Sequence, residues 1–94
     1  MNPEEWLARV FGGTLRQEAF YKEVFRDLLT IGKVYIAEIK GWSPRSKRYW
    51  IQRLEDLGVV RQTREGFQGR WVYKLSTEFL ANLEKVYFRV KKVL

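Results

Sequence analysis

The 94-residue chain contains no cysteine and no histidine. Without Cys there are no disulfides and no thiolate ligands, and without either residue the usual zinc sites cannot form. The lack of His also removes the side chain that titrates near neutral pH, and with it most general acid and base chemistry. Carboxylate pairs remain, but the eleven acids are scattered, and most are followed within four residues by Lys or Arg, as on solvated helix faces. No constellation fills the roles of a reaction, so the chain is expected not to be an enzyme and to need no metal or cofactor. No apolar run approaches the ~20 residues of a membrane span, so no membrane partner is expected. The opening stretch, MNPEEWLARVFGG, has acids and a Trp where a secretory signal has a basic patch and an apolar run, which predicts a cytoplasmic protein. Internal repeats and low-complexity segments are absent.

Apolar bulk and positive charge are plentiful. Four Trp, five Tyr and six Phe give a small chain enough buried surface to fold despite its high charge. At this length one domain with a single core is expected. The net charge of +7 is unevenly placed: residues 1–40 are neutral, 41–75 carry +5 and 76–94 carry +2. A local excess of this kind suits a phosphate-facing surface, where neutralising phosphates releases counterions.

Helix signals recur along the chain. "NPEE" offers Asn2 as cap, Pro3 at the first helical position and Glu5 to return the capping bond, predicting a helix from about Pro3 to Phe11 that Gly12 and Gly13 end. Thr14 and Gln17 repeat the logic for a second helix to about Thr30, with Phe20, Val24 and Leu28 as its apolar stripe. After Gly32, Val34 and Ile36 could form a very short strand before a brief helix containing Ala37 and Ile39, closed by Gly41. A helix that short needs packing from its neighbours.

Ser43 and Pro44 open the next helix, whose expected buried side is Ile51, Leu54 and Leu57, with Gly58 at a left-handed C-terminal cap. Its front face is Arg45, Ser46, Arg48, Tyr49, Gln52 and Arg53. "VVRQTREGFQGRWVYKL" then alternates around two Gly, predicting a hairpin with its tip near Glu65 to Arg70. "STEFLANLEKVYFRVKKVL" begins with a Ser or Thr cap and sets apolar residues along one side of a last helix. That stripe needs a partner surface, either the first helix of the same chain or the matching helix of a second copy. Most of the aromatics, including Trp6, Phe20, Phe25, Trp71, Tyr73, Phe79 and Tyr87, fall at periods that suit a core.

The segment "YIAEIKGWSPRSKRYWIQRLEDLGVVRQTREGFQGRWVYKLS" resembles the winged helix-turn-helix DNA-binding domains of bacterial and archaeal regulators in the broad MarR, ArsR and PadR group. In those families a short helix ends in Gly, a turn leads to a helix opening with Ser, that helix ends in a pattern like R-L-E-x-L-G with two aliphatics, and a basic wing follows. "RLEDLGVV", Arg53 to Val60, fits closely. The resemblance spans about Phe20 to Leu75 and implies a mainly α fold with a small β-hairpin: an N-terminal helix in 1–13, a winged core in 14–75 and a C-terminal helix in 76–94. One position departs. Members usually carry an aliphatic residue one turn before Ile51, where this chain has Lys47. Either Trp50 takes over part of the buried face, or Lys47 lays its methylenes on the core and extends its amine outward.

The resemblance implies a sequence-specific binder of double-stranded DNA, a transcriptional regulator, with the helix at about 43–57 in the major groove and the wing at about 61–74 on the minor groove or backbone. The residues so presented are Ser43, Arg45, Ser46, Lys47, Arg48, Tyr49, Gln52 and Arg53 on the helix, and Arg64, Gln68 and Arg70 on the wing. Arg suits guanine and Gln suits adenine, while the capped helix start offers N–H groups to a phosphate. A homodimer is expected through Trp6, Val10, Phe79, Leu83, Val86, Tyr87, Val90 and Leu94. Other readings of the same residues stay open: a plasmid or viral protein that marks a partition site or replication origin, or a winged helix that binds another protein. A basic helix face is also what an ordinary solvated face looks like, and Arg53 could simply bond Glu55.

Overall fold

A computed structural model describes the backbone of residues 2–93 and the side chains of residues 2–85. α1 (Pro3–Phe11) starts where Asn2 Oδ1 accepts the Glu5 N–H at 3.0 Å. α2 (Leu15–Thr30) starts where Thr14 Oγ1 accepts the Gln17 N–H at 3.1 Å, and Gln17 Oε1 turns back to accept the Gly13 N–H at 2.7 Å. The turn between them is tight: a Cβ on Gly12 would lie 2.6 Å from the Ala8 carbonyl oxygen, so only glycine fits. Both helices have the bounds their caps predict.

Between α2 and the next helix, Val34 exchanges two backbone hydrogen bonds with Tyr73, each 3.0 Å long, and forms a single-residue bridge rather than a strand. The helix expected around Ala37 and Ile39 is one 3-10 turn, Ile36–Glu38, after which Ile39 is extended. One turn fixes several dihedrals for little hydrogen bonding, and Gly41 lies too near for it to lengthen. Buried Ile39 holds it to the core.

α3 (Pro44–Asp56) buries Lys47, Ile51 and Leu54. Leu57, expected as the third buried residue, is 58% exposed. Steps of three lag the ~3.6-residue turn, so Leu57 has rotated roughly 120° from Ile51, whereas Lys47, Ile51 and Leu54 stay within about 60°. Leu57 is instead the C-cap. Gly58 then takes φ +77° and donates to the Glu55 carbonyl at 3.0 Å, while Val59 donates to Leu54 at 2.9 Å. This left-handed cap reverses the chain and delivers buried Val59 and Val60 where a further turn of helix would have left the core.

β1 (Val60–Glu65) and β2 (Arg70–Leu75) pair antiparallel in register from Val60↔Leu75 to Glu65↔Arg70. The four-residue tip closes with Gly69 N–H donating to the Gly66 carbonyl at 3.1 Å, both glycines having positive φ. α4 (Thr77–Val93) is capped by Ser76, whose Oγ accepts the Phe79 N–H at 3.1 Å and donates to the Gly58 carbonyl at 2.7 Å. The start of α4 is thereby fastened to the end of α3.

One cluster of buried side chains runs from Leu7 and Ala8 through Phe20, Tyr21, Val24, Phe25 and Leu28 to Ile51, Leu54, Val59, Val60 and Leu83. Each such large side chain contributes about 1.5–3 kcal/mol by leaving water. Tyr21 is fully buried, and its hydroxyl donates to the Trp50 carbonyl at 2.7 Å, tying α2 to α3. Burial pushes the Tyr21 phenol above its usual pKa. The fold is mainly α with a two-stranded hairpin, the architecture expected of a small winged helix. Among the described residues no helix is long and apolar enough to cross a membrane.

Candidate nucleic-acid interface

The outward face of α3 is a consequence of its inward one. With Lys47, Ile51 and Leu54 against the core, Arg45, Arg48, Tyr49, Gln52, Arg53 and Asp56 are exposed on an arc that runs about 140° from Arg48 to Arg53. Arg45, Arg48 and Arg53 make no ion pair with any described residue. The first turn has no acid to offset them. At the helix start Ser43 Oγ takes the Ser46 N–H at 3.2 Å and Pro44 has none, so of the first three helical residues only Arg45 keeps an N–H for a phosphate. Ser43 Oγ also donates to Ser46 Oγ at 3.0 Å, which makes both serines part of the cap.

Lys47 does not join this face. It is 7% exposed, and its ammonium donates to the carbonyls of Ile36 at 3.1 Å and Ile39 at 2.8 Å. The Ile36 carbonyl also accepts the Ile39 N–H at 3.2 Å, whereas the Ile39 carbonyl, past the end of the 3-10 turn, takes its donor from the lysine amine. Its methylenes cover the core as expected, but the charge points inward, so the expected DNA contact at Lys47 is withdrawn. Trp50 is half-buried against Phe20, ring centroids 5.4 Å apart, so both alternatives for this turn hold in part.

Gln52 is exposed but engaged. Its Nε2 donates to Glu55 at 3.2 Å and to Asp56 at 3.0 Å. The face therefore changes character along its length: Arg45 and Arg48 without acids in the first two turns, then Arg53 mixed with Glu55 and Asp56 in the last, with Gln52 at the boundary. A polyanion would meet the N-terminal half most favourably, with Arg53 the cation of the last turn.

On the hairpin, strand alternation separates residues that adjoin in sequence. Gln62, Arg64, Trp71 and Tyr73 share one face, whereas Glu65 and Arg70 lie on the other. Arg64 stacks its guanidinium 4.3 Å from the centre of the Trp71 ring. Tyr73 and Arg48 line one groove of about 290 Å³ beside the 3-10 turn. Trp71 stands two residues further out than Tyr73, ~7 Å along the same face, so Arg64 extends the surface that begins with Arg48. Arg70 is committed elsewhere: it bonds Glu38 at 2.8 Å and lies 4.1 Å from the Tyr35 ring centre. Glu65 is held by Lys74 and by Lys33 at 3.2 Å, and both lower its carboxyl pKa. Those pairs fix the outer end of the hairpin, next to its tip. Gln68 is exposed at the tip.

Two functional candidates escaped sequence reasoning. Trp71, assigned to the core by its period, is half-exposed and serves as the shelf for Arg64. Arg61 is exposed, and the alternation that places Val60 inward would have marked it.

Of the residues expected at a dimer contact, Val86, Tyr87, Val90 and Leu94 lie outside the side chains described. The others border an apolar groove of about 150 Å³ between α1 and α4, formed by Trp6, Val10, Phe79 and Leu83 with Leu7 and Phe11. Leu83 is buried and Phe79 lies against Phe11, ring centroids 6.0 Å apart, so α4 already packs on α1 of its own chain. Val10 is 56% exposed.

No protein-family model matches the chain, and no solved structure matches it significantly. Among curated proteins it is similar to the loline biosynthesis cluster 1 transcription factor lolU1 of Epichloe uncinata, 31% identical over 87 residues, which is 93% of this chain and 16% of that protein. The chain thus corresponds to a small part of the relative's length, and the likeness is to a segment of a transcription factor.

Proposed function

We propose that the chain acts by binding double-stranded DNA as a transcriptional regulator, without catalysis. The observation that carries this is the exposure of Arg45, Arg48 and Arg53 of α3 and Arg64 of the wing, none of which forms an ion pair with any described residue, with Arg48 and the wing residue Tyr73 lining one groove. The similarity to part of a transcription factor supports the same reading.

In this reading the first two turns of α3 enter the major groove, and the wing follows the backbone into the adjacent minor groove. Arg45 and Arg48 are the base readers, Arg53 and Arg64 the phosphate contacts, and Gln52 reads a base only after releasing Glu55 and Asp56. A homodimer through the apolar edge of α1 and α4 would set two α3 helices about one DNA turn apart, ~34 Å, and favour a palindromic site.

The test is a selection of duplexes from a random pool, followed by gel shifts of the selected and scrambled sequences. The wild-type chain is expected to enrich a sequence, and Arg48→Ala to reduce the ratio between selected and scrambled duplex by about tenfold or more, from ~1–3 kcal/mol per bidentate contact. Enrichment of nothing, or a ratio unchanged in Arg48→Ala and Arg45→Ala, would overturn it.

A further inference from the structure

The outermost residue of the wing is apolar. Phe67 is 107% exposed, fully free of the fold, at the centre of the tip between Gly66 and Gly69. Lone exposed apolar residues are common on proteins. This one differs in being placed at an apex by a stiff support. Gly66 and Gly69 adopt φ of +79° and +63° and close the tip with a backbone hydrogen bond, while Glu65 is clamped below it by Lys33 and Lys74. Arg64 runs back beside Gly69, its Cδ 3.6 Å from where a Cβ there would sit, and spreads its guanidinium on Trp71. The tip is thus a phenyl ring at the point with a stacked cation directly behind it.

We infer that Phe67 is a wedge that enters the minor groove of duplex DNA, pushes partly between two stacked base pairs and bends the helix there. The inference rests on the duplex-binding function proposed above and adds to it a site of DNA deformation. A protein partner would need an apolar pocket that tolerates a cation within one side-chain length; a base step bordered by phosphates offers both an apolar stack and anions. Apolar wedges in the minor groove act in this way, with unstacking offset by closer contact along the bent duplex. Behind the ring, Arg64 falls where the negative potential of the groove is strongest, and its hold on Trp71 keeps it extended toward the tip.

The experiment uses the whole chain and a selected duplex carrying dyes at its ends and 2-aminopurine at successive positions beside the α3 site. Wild type is expected to shorten the dye-to-dye distance and to raise 2-aminopurine emission at one step. Phe67→Ala is expected to lose both signals and about tenfold in affinity, while retaining preference for the selected duplex. Phe67→Leu, which keeps an apolar wedge, is expected to restore most of the bend. If the wild type binds the duplex without bending it, or if Phe67→Ala bends it equally, the wedge is refuted and duplex binding stands. If Phe67→Ala changes only self-association in sedimentation, the ring is a protein contact and the inference fails. Absence of any duplex binding by wild type would instead refute the underlying function, and the wedge with it.

Discussion

Replacing Lys47 by Met separates what the structure says of this residue from what its charge alone suggests. Met keeps most of the methylene packing, so little cavity forms, but the Ile36 and Ile39 carbonyls lose a charged donor. The Ile36 carbonyl keeps the Ile39 N–H at 3.2 Å, whereas the Ile39 bond is buried, so about one acceptor is left unsatisfied, at roughly 1–3 kcal/mol. Relief from burying an ammonium offsets some of the loss of the bonds themselves. The expected destabilisation is about 2 kcal/mol out of the ~5–14 kcal/mol available to a domain of this size. That corresponds to a fall in Tm of roughly 10 °C by differential scanning calorimetry or circular dichroism. The same variant should bind duplex DNA with an unchanged salt dependence below its melting temperature, because the ammonium is not on the surface. A Lys47→Met protein as stable as wild type, with a log K against log salt slope flatter by ~0.9, would show that this lysine meets a phosphate and would refute the inward assignment.

Two further substitutions test the frame that aims α3. Gly58→Ala meets open space but forces Cβ onto a residue at φ +77°, so it should cost about 1 kcal/mol through backbone strain alone, read as a lower urea midpoint with an unchanged m value. Tyr21→Phe removes the bond to the Trp50 carbonyl and should cost about 1 kcal/mol by the same measurement. Because burial raises the Tyr21 pKa, folding favours the neutral phenol: its contribution is complete below pH ~10, the usual tyrosine value, and is lost as pH rises through the folded value. Wild type should therefore lose stability above pH ~10 more steeply than Tyr21→Phe, and equal slopes would contradict the buried assignment.

How far the sequence could carry this account depends on the range of the interactions involved. Caps act within four residues, so Asn2, Thr14 and Ser43 located three helix starts, and Gly58 located the end of α3. The hairpin was legible from its alternation and its two glycines. Leu57 was misplaced because a spacing of three and three looks helical on paper while drifting around the cylinder. The fates of Lys47, Gln52 and Arg70 depend on partners brought close by folding: carbonyls of a 3-10 turn eight and eleven residues back, carboxylates whose rotamers are free, and Glu38 thirty-two residues away. The position of Arg64 on the α3 side of the wing and Arg70 on the other follows from register, which the sequence left open to within a residue.

The most direct measurement is the affinity for a selected duplex between 50 and 200 mM salt, by fluorescence anisotropy, for wild type and for Arg48→Ala with Arg64→Ala. Two phosphate contacts per chain, Arg53 and Arg64, predict a slope of about −1.8 and a loss of roughly 12-fold over that range, falling to a slope of about −0.9 in the double variant, which keeps Arg53. A nearly flat salt dependence in the wild type, or a double variant that keeps the full slope, would show that the α3 and wing arginines do not form one DNA-facing surface.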